Sequence, residues 1–168
     1  MNDEIVFDIP GDPIGKGRAR SFVRGIVPTA SGKQRAIIGH YTPEKTRTWE
    51  GVARTLAMEA MRGRQPFAGP VRLALHITFA VPDSWPAWKR AMALNGEIEP
   101  TIKPDKDNIE KAVKDACNAV VWHDDCQVTA GVQLKKYGEH PGVRVCVMAR
   151  NAYPAQLKKK PKGENHAE

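Results

Sequence analysis

Between Val71 and Val81 an apolar side chain falls on every second residue: Val71, Leu73, Leu75, Ile77, Phe79 and Val81. A strand turns successive side chains to opposite faces, so this spacing predicts a strand with one face in a core. Ile5, Phe7 and Ile9 repeat the pattern within Glu4–Pro10. Two closing strands are expected at roughly Gln127–Tyr137 and Val143–Ala149, with the turn between them at Gly138–Gly142. Phe22 and Val23, then Ile37 and Ile38 before Tyr41, suggest a loose hairpin.

Elsewhere the apolar period changes to that of a helix. Thr42-Pro43-Glu44 reads as a helix start, with an N-cap threonine, proline in the first helical position and an acid in the first turn. Trp49, Val52, Ala53, Leu56, Ala57 and Ala60 follow at helical spacing, and Gly63 is the expected stop. A short helix is expected from near Ser84 through Trp88 and Met92 to Leu94. A second main helix is predicted from Asp107 to about Val121, with Ile109, Ala112, Val113, Ala116, Cys117 and Val120 on its apolar face. The fold expected is therefore α+β, a small mixed β-sheet packed by two main helices. The 168 residues accommodate one such domain, assigned to residues 1–150. From Asn151 the chain has few apolar residues and carries LKKKPKG, a composition expected to form a disordered basic tail over 151–168.

The formal charge of +7 points to a polyanionic partner. The stretch GDPIGKGRARSFVRG concentrates cations: Lys16, Arg18, Arg20 and Arg24 are the leading phosphate-contact candidates, because guanidinium forks match phosphate oxygens. Its glycines permit close backbone approach. Cys117, Cys126 and Cys146 lack CxxC spacing and fit neither a zinc site nor a disulfide framework, so a reducing cytoplasm is their simplest setting. No apolar run reaches the roughly 18 residues of a membrane span, and the opening MNDE does not read as a signal peptide.

Chemistry concentrates in KPDKDNIEKAVKDACNAVVWHDDCQV. Pro104 biases Lys103 away from helical geometry, which leaves Asp105 in an extended entry and Asp107 at or near the N-cap. Asp107-x-x-Glu110 fits a capping box, and Asp107, Lys111 and Asp115 share one helical row. The Asp124–Asp125 pair stands just before a strand. Hard cations such as Mg²⁺ take oxygen ligands, and carboxylates from separate elements supply them. Each feature also has a structural reading: a cap, a surface salt-bridge ladder, a turn. Their combination with an Arg-rich loop in one basic chain favours a metal site that hydrolyses phosphodiesters, with Lys111 positioned for the phosphate. His123 reads as a surface or packed residue, because hard metals prefer oxygen. Trp122 reads as packing beneath the site. Trp85 and Trp88, beside Lys89 and Arg90, fit a base-stacking platform and connector packing equally well.

In order, spacing and residue type, Asp105-x-Asp107-Asn108-x-x-Lys111, then Asp115-Ala116, then Trp122-x-Asp124-Asp125-x-Gln127-Val128 resembles the RusA family of Holliday-junction endonucleases. Lys16-x-Arg18-x-Arg20 and Tyr41-Thr42-Pro43-Glu44-Lys45-Thr46 look like the family's N-terminal features, and the likeness runs from about Ile5 to Val147. The resemblance implies a small α+β homodimer, bacterial or phage-encoded, that cuts four-way DNA junctions by paired symmetric nicks with Mg²⁺ or Mn²⁺. By position it makes Asp105, Asp107 and Asp125 the catalytic metal-binding acids, Lys111 the catalytic lysine and Asp124 a helper. Ala19 stands where the family often has proline, and Ala119 where glycine is common. Alternatives are a flap or single-strand nuclease with the same metal site, or a branched-DNA-binding protein without catalysis. A DxD transferase is disfavoured, since no glycine fingerprint lies between a strand and a helix.

Overall fold

The computed structural model describes residues 4–29 and 31–150. The strands are β1 (Glu4–Pro10), β2 (Arg20–Pro28), β3 (Gln34–Tyr41), β4 (Val71–Ala80), β5 (Val128–Gly138) and β6 (Gly142–Ala149). The helices are α1 (Glu44–Met61), α2 (Ala87–Leu94) and α3 (Lys106–Cys117), and a 3₁₀ turn covers Asp125–Gln127. The basic segment 151–168 lies outside the described residues.

Four strands form one mixed sheet in the order β1-β6-β4-β5, while β2 and β3 form a separate two-stranded sheet. The predicted alternation of β4 holds throughout: Val71, Leu73, Leu75, Ile77 and Phe79 are buried. They meet Ile5, Phe7 and Ile9 of β1 and Val143, Val145 and Val147 of β6 in one core. The helices close it with Trp49, Ala53, Ala57 and Met61 from α1 and Ile109, Ala112, Val113, Ala116 and Cys117 from α3. Each fully buried aliphatic side chain here contributes about 1.5–3 kcal/mol. Burial pushes the Cys117 thiol up to about 12, which keeps it neutral and fits its place on the apolar face. Trp122 is fully buried in the same core.

The fold class is as expected, an α+β domain, but the connections differ. β5 and β6 are not a hairpin. β4 lies between them, antiparallel to β6 and parallel to β5, so the chain from Gly138 to Gly142 crosses the end of β4. The basic stretch from Arg20 is strand rather than loop: β2 pairs with β3 from Arg20↔Tyr41 to Pro28↔Gln34, with an irregularity between Val23 and Gly25.

Helix boundaries also move. Pro43, not Thr42, precedes α1, and α1 ends on Arg62 in the left-handed region (φ 48°) followed by Gly63 (φ 75°). α2 starts at Ala87 rather than near Ser84. α3 stops at Cys117, four residues before the expected Val121. Asn118 is extended and Ala119 takes φ 59°, a conformation a side chain disfavours and glycine accepts freely. The chain then hydrogen-bonds sideways, Phe67 N–H donating to Val121 O at 2.8 Å, instead of continuing the helix.

Candidate nucleic-acid and metal site

The N-terminal loop is held against the start of α3. Lys16 N–H donates to Asn108 O at 2.8 Å. A Cβ on Gly15 would stand 2.9 Å from Pro104 Cβ and 3.0 Å from Asn108 Cβ, so only glycine lets the loop approach so closely. Together they line an open cleft of about 630 Å³ that also includes Arg18, Lys45, Lys103 and Asp105. A basic cleft edged by a carboxylate suits a phosphodiester backbone with a cation between phosphate and acid.

Asp105 occupies the N-cap position of α3, and Asp107 lies in its first turn; neither side chain caps the helix. The expected Asp107–Glu110 capping box is therefore absent. Glu110 instead accepts from Gln133 Nε2 and pairs with Lys114 at 2.7 Å, tying α3 to β5. Asp107 remains exposed, with Lys111 Nζ 3.8 Å from Oδ2. Lys111 thus stands one helical turn from the acid it was expected to assist, its ammonium open to solvent.

Asp115, expected in the same row, is taken by Lys16, whose ammonium also donates to Glu50 Oε1 at 2.8 Å. Partial burial pulls Lys16 down, but the two carboxylates outweigh it and hold the ammonium above its ordinary value. Of the four cations expected to contact DNA, Lys16 therefore has its charge already paired. Arg18 is exposed in the cleft, Arg20 opens β2, and Arg24 is exposed within it.

Asp124 and Asp125 have different surroundings. Asp124 Oδ1 accepts from Cys126 N–H at 2.9 Å, while Gln127 Oε1 accepts from His123 N–H and Asp124 N–H. This is a capping box around the 3₁₀ turn, and Gln127 Nε2 ties it to Phe67 O and Gly69 O at 2.7 and 2.8 Å. The Cys126 backbone N–H, and then its thiol, hold the Asp124 carboxyl below the usual carboxylate range. Hydrogen bonding to Asp124 in turn pushes the Cys126 thiol up, which disfavours a thiolate there. Asp125 is exposed beside it.

The three expected metal acids do not meet within one chain. Among the described residues no group of three carboxylate, histidine or cysteine side chains is arranged to hold a metal ion. Asp105 and Asp107 stand at the start of α3, while Asp125 lies beyond its far end. His123 is exposed and fits a surface residue. Trp85 packs edge-on against Tyr137, ring centroids 5.3 Å apart, beneath the Lys89 ammonium, whereas Trp88 is 65% exposed. Connector packing therefore accounts for Trp85 and leaves Trp88 open.

Sequence reasoning passed over Lys45, Lys103 and the structural part of Gln127. Asp124-x-x-Gln127 was a readable capping signal. Lys103 stood two residues from Asp105, inside the acidic stretch, whereas Lys45 had no such signal, because only the fold brings it to the cleft beside Asp105.

No helix among the described residues is long and apolar enough to cross a membrane. The chain is similar to the uncharacterized protein YqaN of Bacillus subtilis (strain 168), at 31% identity over 147 residues, covering 86% of this chain and 96% of that one. The family model for endodeoxyribonuclease RusA matches residues 10–148, which takes in the cleft, α3 and the Asp124–Asp125 turn. With most of its length matched, this chain belongs to the RusA endodeoxyribonuclease family.

Proposed function

We propose that the protein is a Mg²⁺- or Mn²⁺-dependent endonuclease that resolves four-way DNA junctions as a homodimer by paired symmetric nicks. The observation that carries this reading is the cleft itself, where Arg18, Lys45 and Lys103 line the walls with Asp105 at the head of α3, two residues before Asp107, which pairs with Lys111 one turn further on. Its cations suit the phosphate backbone and its exposed carboxylates suit a hard cation. A divalent ion bound there would polarise the phosphoryl oxygen and lower the pKa of an attacking water.

In this reading Asp105, Asp107 and Asp125 are the acids for metal, and Lys111 supports the charge that develops on the scissile phosphate. Arg18, Arg20 and Arg24 grip the DNA strands, and Lys16 holds the loop that bears Arg18 and leads into β2. Asp124 acts through the turn that presents Asp125. A twofold dimer matches a substrate cut symmetrically on two strands. Three unpaired cysteines suit action in a bacterial or phage-infected cytoplasm.

The test is a panel of four-way junction, flap, single-stranded and duplex DNA incubated with and without Mg²⁺. Paired nicks in the junction that require the ion support the reading. Preferential cutting of flaps or single strands would move it to a different nuclease, and tight junction binding with no cutting would make the protein a binding module.

A further inference from the structure

We propose that the β2–β3 hairpin is an arm that recognises the branch point, its Phe22–Tyr41 pair stacking on base faces that only interrupted DNA exposes. This deepens the junction reading above and rests on it for the choice of DNA. The surface that meets the DNA follows from the hairpin itself.

Cross-strand partners in an antiparallel pair share a face. Arg20↔Tyr41 and Phe22↔Gly39 are such partners, so Arg20, Phe22 and Tyr41 stand together on one side of the ribbon. Phe22 and Tyr41 meet edge to face, ring centroids 6.0 Å apart. The Phe22 ring lies over Gly39: a Cβ there would stand 2.7 Å from Cζ and 2.8 Å from Cε1, so glycine leaves room for the ring. The strand beneath thus holds the ring in place, while Phe22 and Tyr41 each stay 48% exposed. On the other side Val23↔Ile38 and Ile26↔Ala36 are paired, and Val23, Ile26 and Ile38 are 57–61% exposed. The ribbon is apolar on both faces, and no other strand or helix among the described residues covers either one.

Charge selects the partner. Between Asp12 and Glu44 the chain carries Lys16, Arg18, Arg20, Arg24, Lys33 and Arg35 and no acid. Arg20 lies at the root of the hairpin, Arg24 at the irregularity between Val23 and Gly25, and Arg35 near the tip. From Arg20 to Val27, the partner of Arg35, the strand runs roughly 24 Å at 3.4 Å per residue. Cations therefore stand at both ends, with aromatic and aliphatic side chains between them. DNA interrupted at a branch point offers the matching order, phosphates on either side of exposed base faces. A second copy laid hairpin on hairpin would instead bring like charges together.

The apolar content also separates base faces from a groove. A ribbon that reads the major groove turns polar side chains to the base edges. Phe22, Val23, Ile26 and Ile38 have no side-chain hydrogen bond to offer there, whereas base faces accept aromatic side chains whatever the sequence. In a continuous duplex those faces are stacked on one another and closed. At a branch point the stack is interrupted. Arg20 follows Arg18 of the cleft by two residues, so bases engaged by Phe22 lie beside the backbone that the cleft receives. The arm thereby confers structure selectivity on a cleft whose cations alone would accept any duplex.

The experiment measures affinity for a synthetic four-way junction and for a continuous duplex of equal length, in EDTA and at fixed salt, so that no strand is cut. Phe22→Ala should weaken junction binding about tenfold and duplex binding by less than about twofold. Phe22→Trp should keep the junction affinity, and Phe22→Leu should lose as much as alanine, which separates ring stacking from apolar bulk. Gly39→Ala displaces the ring without removing it and should show the same loss in a protein that still folds. 2-Aminopurine placed at the branch point should change its fluorescence on binding wild type and not on binding Phe22→Ala. Equal weakening toward both DNAs, or none, overturns the proposal. So does a change in the mass of Phe22→Ala in solution, which would make the hairpin a contact between copies. Binding in EDTA does not depend on cutting: if wild type prefers the junction through Phe22 yet nicks nothing with Mg²⁺, the nuclease reading fails and the arm stands.

Discussion

Lys16 and Asp115 are joined by an ion pair across 99 positions of sequence, and the same ammonium holds Glu50 of α1. The N-terminal loop is thereby clipped to both helices. Lys16→Met should cost up to about 1 kcal/mol of stability in urea titrations, in line with a partly exposed ion pair, by leaving Glu50 and Asp115 without their shared cation. The folded-state pKa of Lys16 lies above 10.5, so this contribution is fully present below that value and is lost as pH rises through the folded pKa. The deficit of Lys16→Met should accordingly be constant from neutral to mildly alkaline pH. Arg18→Ala should behave differently: little change in stability, but a log K against log salt slope for DNA binding shallower by about one. A similar loss of slope for Lys16→Met would show that it contacts phosphate directly.

Gln127 bonds to the backbone on both sides of the 3₁₀ turn, accepting from His123 and Asp124 and donating to Phe67 and Gly69. Gln127→Leu strands these groups at a partly buried junction, at a cost of about 1–3 kcal/mol. Because the turn presents Asp125, cutting should fall by more than the change in folded fraction accounts for. Activity that simply follows the folded fraction would argue against a positioning role.

Ala119 holds φ 59° where α3 gives way to the Phe67 connection. Glycine adopts that conformation without a clash, so Ala119→Gly should stabilise the protein by about 0.5–1 kcal/mol, offset in part by a more flexible unfolded chain. Chemical denaturation reads the change directly. A destabilised Ala119→Gly variant would mean that the Ala119 methyl packs usefully enough to outweigh its backbone strain.

The strands whose one face is buried were legible because burial writes a period of two into residues such as Leu73, Leu75 and Ile77. β2 and β3 have both faces largely exposed, so no alternation marks them, and Arg20 to Arg24 read as a loop. The parallel pairing of β4 with β5 was hidden too: periodicity tells which face is buried, not which neighbour a strand takes. Asp105, Asp107 and Lys111 were legible as a group because one helix start carries all three. The separation of Asp125 from them was not, because it depends on β5 running back along α3, with Lys135 reaching Pro104 O and Gln133 reaching Glu110. Asp124 could be told from Asp125 by the Asp-x-x-Gln cap, a local signal that the prominence of the acid pair obscured.

If the exposed carboxylates at the head of α3 support metal-dependent cutting of branched DNA, removing one of them abolishes cutting and spares binding. The most direct measurement compares wild type with Asp107→Asn on a synthetic four-way junction, with and without Mg²⁺, alongside junction affinity. Wild type should nick the junction in pairs only with Mg²⁺, and Asp107→Asn should lose nicking while retaining binding. Undiminished cutting by Asp107→Asn would contradict it.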